Sequence, residues 1–322
     1  MNKNKVLIIV NSPFQALCAI EAINHYGIEN PVFAHVDSPI VREKTVPLIK
    51  KMGRSIFLRP EGPGTIAFIR ETKNEVKEKY STIIIGDWFS YGQYIIALFS
   101  AKRKASFIYL DDGNSTLRMD PAISGKRYRT LSQRVEYALL GVKKRIMHIN
   151  ERLFSIYNME GKAPMFWEKN NFDCLRNNGN HSQMGVYVIG TNSSALTFSD
   201  TTYEEQLLLL NKHIKKTYPD DTVWYCPHRR DTNDFSSIIT SCGWKIFNTD
   251  ISVEVDFIQK GINPRCVFGY NSTALLTLKK IYPSSLISTI RVKLLDDSMN
   301  LRYRNIENYF AKNEIGIMEF SS

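Results

Sequence analysis

Short, almost wholly apolar runs that end in a polar turn and feed a helix-spaced segment recur along this chain, and they restrict its fold more than any other feature. The opening KVLIIVNSPFQALCAIEAINHYG predicts a strand from Val6 to Val10 and a turn at Asn11-Ser12-Pro13. A helix follows, with Phe14, Leu17, Cys18, Ile20 and Ile23 at helical spacing. Further strands are predicted at Pro31 to His35, Ser55 to Leu58 and Thr82 to Ile85, alternating with helices at Val41 to Met52, Thr65 to Tyr80 and Phe89 to Phe99. Thr82 to Ile85 is β-branched throughout, the composition of a parallel strand buried on both faces. Alternating β and α elements predict a parallel sheet with helices on both sides.

A second series begins at Gly185 to Ile189. A helix from Tyr203 to Tyr218 turns Leu207, Leu208, Leu210 and Ile214 to one side, and strands follow at Thr222 to Cys226, Arg265 to Phe268 and Leu286 to Ile290. Helices are predicted at Ser252 to Lys260 and after GYNST, and the tail from Arg302 to Ala311 is amphipathic. The stretch between the series, rich in Asn from Asn170 to Asn180, lacks periodicity and is expected to connect two domains. The 322 residues, 43% of them hydrophobic, suffice for two cores. The expected fold class is α/β and GT-B-like. Two Rossmann-like domains, 1–180 and 184–300, would face each other across a cleft, with a C-terminal helix in 301–322 packing back on the first.

Forty-two Lys and Arg against 32 Asp and Glu give a net charge of +10, which favours anionic partners such as nucleic acid, an anionic membrane, or phosphorylated and carboxylated sugars. Gly125 to Arg145 holds seven basic residues and one acid, so it carries +6 of that charge. Leu131, Val135, Ala138 and Val142 share one face of a helix there. Both a membrane-surface helix and a solvated face over a core stripe fit this pattern. No aromatic-interleaved basic motif accompanies it, so nucleic acid is not an expected partner. The five cysteines are scattered without CxxC spacing, which argues against a disulfide framework or a structural zinc. The first apolar run is too short for a secretory signal, and no window reaches the roughly 20 apolar residues that span a bilayer. The expectation is a cytoplasmic protein, soluble or peripheral on the inner membrane.

The chemistry-bearing residues fall at strand exits. In YLDDGNST the apolar run Phe107 to Leu110 ends in Asp111 and Asp112, followed by Gly113 and Asn114. Ligands of open α/β sheets bind outside the carboxyl ends of strands, so one of these aspartates is a candidate general base. Asp87 leaves the same edge, as a substrate contact or a helix cap. Ser12 and Gln15 stand where the first helix meets its strand, positions that suit sugar hydroxyls or an anion, with a plain capping role open for Ser12. In the second half His228 follows a strand, flanked by Arg229 and Arg230, which favour an anion. Gly190 and Thr191 exit another strand. Ser272 and Thr273 open a helix, where hydroxyls and free backbone N–H groups suit phosphate or merely cap. Glu254 can accept both ribose hydroxyls of a nucleotide or favour its own helix N-terminus. Asp296-Asp297 lacks the glycine and is expected to be a loop or helix cap. No metal site is expected.

This order, DDG, then PH after a strand, then SVE before FGYNST, resembles the bacterial GT-B sialyltransferases and polysialyltransferases, which share a (D/E)(D/E)G motif, an HP motif and a paired Ser/Thr motif. SPFQ and GDWFS also look like that group. The resemblance implies an inverting, metal-independent, single-displacement transfer of sialic acid from CMP-sialic acid, with no cofactor. It implies Asp111 as base, His228 assisting departure of CMP, Ser272 and Thr273 on the phosphate and Glu254 on the ribose. Asp112 and Gly113 would shape the acceptor loop. One departure stands: Arg229 follows His228 where the family has proline. The expected acceptor is a bacterial surface glycan, lipopolysaccharide or lipooligosaccharide, O-antigen or capsule, in lipid-linked form. The alternatives are transfer of another CMP-linked acid sugar, such as pseudaminic acid or Kdo, and a nucleotide-dependent polyol-phosphate transferase.

Overall fold

The structure is a computed structural model describing residues 5–59, 65–119, 151–160, 166–177 and 185–320, and it divides into two compact units, Met1–Cys174 and Leu175–Ser322. The basic stretch 125–145 lies outside the described residues.

In the first unit the elements run β1 (Val6–Ile9), α1 (Pro13–His25), β2 (Val32–Val36), a π-helical turn at Val41–Thr45, α2 (Val46–Ile49), β3 (Arg54–Leu58) and α3 (Thr65–Glu75). They continue with β4 (Tyr80–Ile85), α4 (Tyr91–Ser100), β5 (Ala101–Tyr109), β6 (Glu151–Ser155) and β7 (Phe166–Lys169). The seven strands form one sheet in the order β3-β2-β1-β4-β5-β6-β7. Every neighbouring pair is parallel. Leu7, Ile8 and Ile9 of the central β1 are fully buried, as are Ile83 and Ile84 of β4, so helices cover both faces of the centre. Pro13 at the first helical position and the Ser12 cap start α1 directly at the strand exit.

β6 and β7 correct the expectation that this part of the chain is only a connection: both extend the first sheet, and the unit ends at Cys174. Sparse hydrophobicity hid them. Only Leu153 and Phe154 of β6 are buried hydrophobic residues, and β7 buries none of its four residues.

The second unit follows a short helix α5 (Asp173–Asn177) with β8 (Val186–Ile189), α6 (Tyr203–Thr217), β9 (Val223–Cys226), α7 (Ser236–Ser241) and β10 (Lys245–Ile246). Then come α8 (Val253–Gln259), β11 (Cys266–Gly269), α9 (Thr273–Ile281), β12 (Leu286–Ile290), α10 (Asp297–Ala311) and β13 (Gly316–Met318). The sheet order is β10-β9-β8-β11-β12-β13, again all parallel. α6 begins at a capping box in which Thr202 and Glu205 satisfy each other's backbone N–H groups. Its Leu207, Leu210 and Ile214 pack into a core with Val186, Val188 and Phe268.

Within the second unit, Met299 and Tyr303 of the terminal helix α10 pack against its core. Arg291, just after β12, donates to Glu307 at 2.8 Å, and β13 adds a strand beside β12. Asp296 caps α10 by accepting from Ser298 and Met299, the capping role open to the second Asp pair. No helix among the described residues is long and apolar enough to cross a membrane.

Because Ile8 sits at the centre of the first sheet, Ile8→Ala is expected to cost about 2–5 kcal/mol. A lower urea midpoint at constant m-value is the expected result; an unchanged midpoint would place the core elsewhere.

Candidate active site

Parallel pairing puts the carboxyl ends of β1, β4 and β5 side by side, so Asn11, Gly86-Asp87 and Asp111-Asp112 share one edge of the first sheet. The two aspartates part company there. Asp111 is fully buried: Ser155 Oγ donates to its Oδ1 at 2.5 Å and the Ile156 N–H to its Oδ2 at 2.7 Å. Burial pushes its carboxyl up to about 7 against the pull of those bonds and one from Thr116. The accessible carboxylate expected at Asp111 is therefore found at Asp112, which is only partly buried. Successive residues of an extended chain point to opposite sides, so one of two adjacent aspartates goes inward.

Asp112 Oδ1 accepts from Gln15 Nε2 at 2.8 Å. Among the described residues its Oδ2 meets only a long 3.3 Å contact from Ser115 Oγ, whose shorter bond, 2.5 Å, goes to the Asp112 carbonyl. Gly113 takes φ +64°, the left-handed conformation that lets the chain reverse at this point, and Thr116 N closes the turn on its carbonyl at 3.0 Å. Asn114 Oδ1 accepts from the Tyr157 hydroxyl at 2.8 Å. Ser12 is a helix cap, accepting from Gln15 N at 3.2 Å. Asp87 Oδ1 accepts from the Phe89 N–H at 2.7 Å, a local turn ahead of α4. Gln15 is buried with its amide committed to protein partners, so it stands behind Asp112 and not against a substrate.

In the second sheet β9, β8 and β11 are neighbours, and their exits carry His228, Gly190-Thr191 and Ser272-Thr273. His228 Nδ1 accepts from the Arg230 N–H at 3.3 Å, which leaves the ring proton on Nε2. Burial, then Arg229 and Arg230, hold its pKa below the ordinary histidine value, with Asp231 opposing. The arrangement is a neutral imidazole with an N–H donor. Asp231 anchors this loop: Ser193 Oγ donates to it at 2.8 Å, and the Ser193 and Ser194 N–H groups each approach it at 3.3 Å. That clamp carries no motif and was missed in the sequence. A cavity of about 90 Å³ beside it is lined by Pro227, His228, Asp231 and Phe235.

Ser272 caps α9, accepting from Ala274 N at 3.3 Å, and Thr273 is the first residue of that helix. Glu254 is buried in the first turn of α8. Burial raises its pKa, while its own N–H, Ser252 and the Arg229 charge pull it down. Arg229 itself is exposed, one residue beyond His228. Gly190 and Thr191 have structural partners. A Cβ at Gly190 would stand 2.6 Å from the Tyr225 hydroxyl, and the Gly190 N–H donates to Cys226 O at 2.9 Å.

Two units of this kind, each a parallel sheet with helices, decide the architecture. The fold is GT-B. The chain aligns with the α/β-galactoside α-2,3-sialyltransferase of Photobacterium phosphoreum at 12% identity and a TM-score of 0.58, over 98% of this chain and 99% of that one. It aligns with a Photobacterium 2,6-sialyltransferase, solved with CMP and lactose, at 10% identity and a TM-score of 0.50, over 98% of this chain and 78% of that one. The UDP-GlcNAc 2-epimerase of Neisseria meningitidis also aligns, at 10% identity and a TM-score of 0.53, over 96% of this chain and 93% of that one. No protein-family model matches the chain, and no curated protein matches it in sequence.

Asp111 makes the stability of the fold depend on pH. A carboxyl raised from its unfolded value of about 3.9 stabilises fully below that value, and the contribution is lost as pH rises through about 7. This contribution to the melting temperature is expected to fall between about pH 4 and about pH 7 and to level off above, and Asp111→Asn to flatten that slope. An unchanged slope in the variant would refute the raised value.

Proposed function

We propose that this protein is an inverting glycosyltransferase that moves sialic acid from CMP-sialic acid to a hydroxyl of a glycan. The observation that carries the reading is the edge of the second sheet, where an imidazole held as a neutral Nε2–H donor, a nine-residue helix opening at Ser272 and the buried Glu254 all belong to consecutive strand exits. A nucleoside monophosphate leaving group needs hydrogen-bond donors on its phosphate and an acceptor on its ribose. His228, Ser272 and Thr273 supply the first, and Glu254 the second. The fold alone does not separate a transferase from an epimerase. The partly accessible Asp112 favours transfer, because an acceptor hydroxyl needs a carboxylate to take its proton.

In the step we propose, the acceptor O–H proton passes to Asp112 Oδ2 while the acceptor oxygen bonds to the anomeric carbon. The bond from that carbon to the CMP phosphate oxygen breaks, and its electron pair leaves with the phosphate. His228 Nε2–H and the α9 terminus stabilise the departing charge. One displacement inverts the anomeric centre. Asp111 serves this scheme from below as a positioning residue, holding the strand exit to Ser155 and Ile156. The scheme uses no metal or cofactor. A surface glycan on a lipid carrier is the acceptor class we propose, with the protein on the cytoplasmic face of the membrane.

The test is CMP release from CMP-sialic acid by the purified protein in EDTA, with and without glycan acceptors. Wild type is expected to release CMP, His228→Ala to lower release by about 100-fold and Asp112→Asn to lower transfer by a similar factor. A neutral donor keeps its proton as pH rises, so His228-dependent release is expected to hold from about pH 6.5 to about pH 8.5. A decline through that range would make the group an imidazolium acid. Absence of CMP release, or turnover of UDP-GlcNAc in its place, would reject the donor.

A further inference from the structure

Behind Asp112 lies a run of buried amides that joins three strand exits. The Asp87 N–H donates to Gln93 Oε1 at 2.9 Å, Gln93 Nε2 to Gln15 Oε1 at 3.0 Å, and Gln15 Nε2 to Asp112 Oδ1 at 2.8 Å. The Asn11 N–H gives Gln15 Oε1 a second bond at 2.8 Å, and Asn11 Oδ1 in turn accepts from Val36 N at 2.9 Å. Gln15 is 4% exposed and Gln93 1%. Both are too deeply placed to greet a substrate.

The orientation of each amide is fixed by its neighbours. Turning the Gln15 amide over would set its carbonyl against the Asp112 carboxylate and its NH₂ against the Asn11 N–H, replacing two attractions by two repulsions. The site is also built to the size of this side chain: a Cβ at Gly86 would stand 2.5 Å from Gln15 Oε1. Donors aligned head to tail polarise one another, so the last N–H meets the carboxylate with a strengthened dipole. If Gln15 served only to satisfy strand ends, its carbonyl would be enough. Its NH₂ group goes instead to Asp112, a partly accessible carboxylate of the edge.

We propose that Gln15, locked by Gln93, is a positioning residue that pins Asp112 through Oδ1 and leaves Oδ2 turned to the acceptor hydroxyl. The inference rests on the reading of Asp112 as the base. It adds a requirement that the sequence motif DDG does not contain, a glutamine on α1 and another on α4.

Gln15→Glu separates positioning from packing. The new side chain keeps an oxygen for the Asn11 and Gln93 donors and sets a second carboxylate oxygen, in place of the donor, against Asp112. The ratio of transfer to donor hydrolysis at about pH 8 is expected to fall between about tenfold and about a hundredfold, as kcat with the acceptor KM little changed. Hydrolysis, in which water replaces the acceptor, is the internal reference. Gly86→Ala, which displaces Gln15 without altering either glutamine, is expected to give the same lowered ratio. Transfer by Gln15→Glu at the wild-type ratio would overturn the proposal.

A second readout does not need activity. In ¹⁵N-labelled protein the Gln15 side-chain NH₂ resonances are expected to move in Asp112→Ala and in Gln93→Met. Failure to move in Asp112→Ala overturns the pinning whatever the enzyme does. Movement in a protein that releases no CMP would uphold the pinning of Asp112 by Gln15 and reject the transferase reading alone.

Discussion

Parallel pairing of β1, β4 and β5 is the constraint from which the first unit's chemistry follows. In a parallel sheet every strand delivers its carboxyl end to the same edge, so residues far apart in sequence become neighbours without any long-range design of loops. Asn11, Asp87 and Asp112 are spread over 101 positions and meet through two glutamines. Shifting one strand's register by a single residue would exchange inward and outward side chains and bring Asp111, not Asp112, to the open side. The register is held by the apolar pairs Ile8 with Ile84 and Ile84 with Ile108, all buried.

The same geometry explains how much could be read in advance. The repeating units were legible because central parallel strands are apolar on both faces and their helices keep a helical period. Strands at the margins were not. β10 has two residues and β13 three, and β7 has two aromatic residues followed by two charged ones with none buried, so none of them rises above a loop in pattern. They belong to the sheets because backbone hydrogen bonds on a neighbouring strand were already available, which is a property of the neighbour.

Site residues divided along a similar line. The placement of His228, Ser272 and Glu254 at a strand exit and at helix starts was legible, since each follows a strong strand or opens a helix. The choice between Asp111 and Asp112 was not, because it depends on Ser155 and Ile156 at the end of a strand that the sequence did not announce. Gln15 was found for a reason that the structure replaces. A polar residue at a strand-helix junction is as ready to bind a neighbour as a ligand, and only the donors around its amide tell which. The Asp231 clamp on Ser193 had no signal at all, being an ordinary carboxylate in an ordinary loop until the two strand exits are set side by side.

A pair of adjacent carboxyls at one edge also raises the question of why both are kept. Two like charges so close oppose each other, and the Asp112 charge adds to the forces that favour a proton on Asp111. A protonated Asp111 keeps its place: in the 2.5 Å contact with Ser155 the carboxyl can donate where the carboxylate accepts. The proton removes negative charge from beneath Asp112 without removing the bond that shapes the turn. Replacing Asp111 by an apolar residue would discharge the edge equally well, but it would strand the Ile156 N–H, whose partner is Asp111 Oδ2. An acid here thus serves both demands, a neutral neighbour for Asp112 and an acceptor for the backbone, and the separation of the two aspartates into a buried and an accessible one is what allows a single dipeptide to do so.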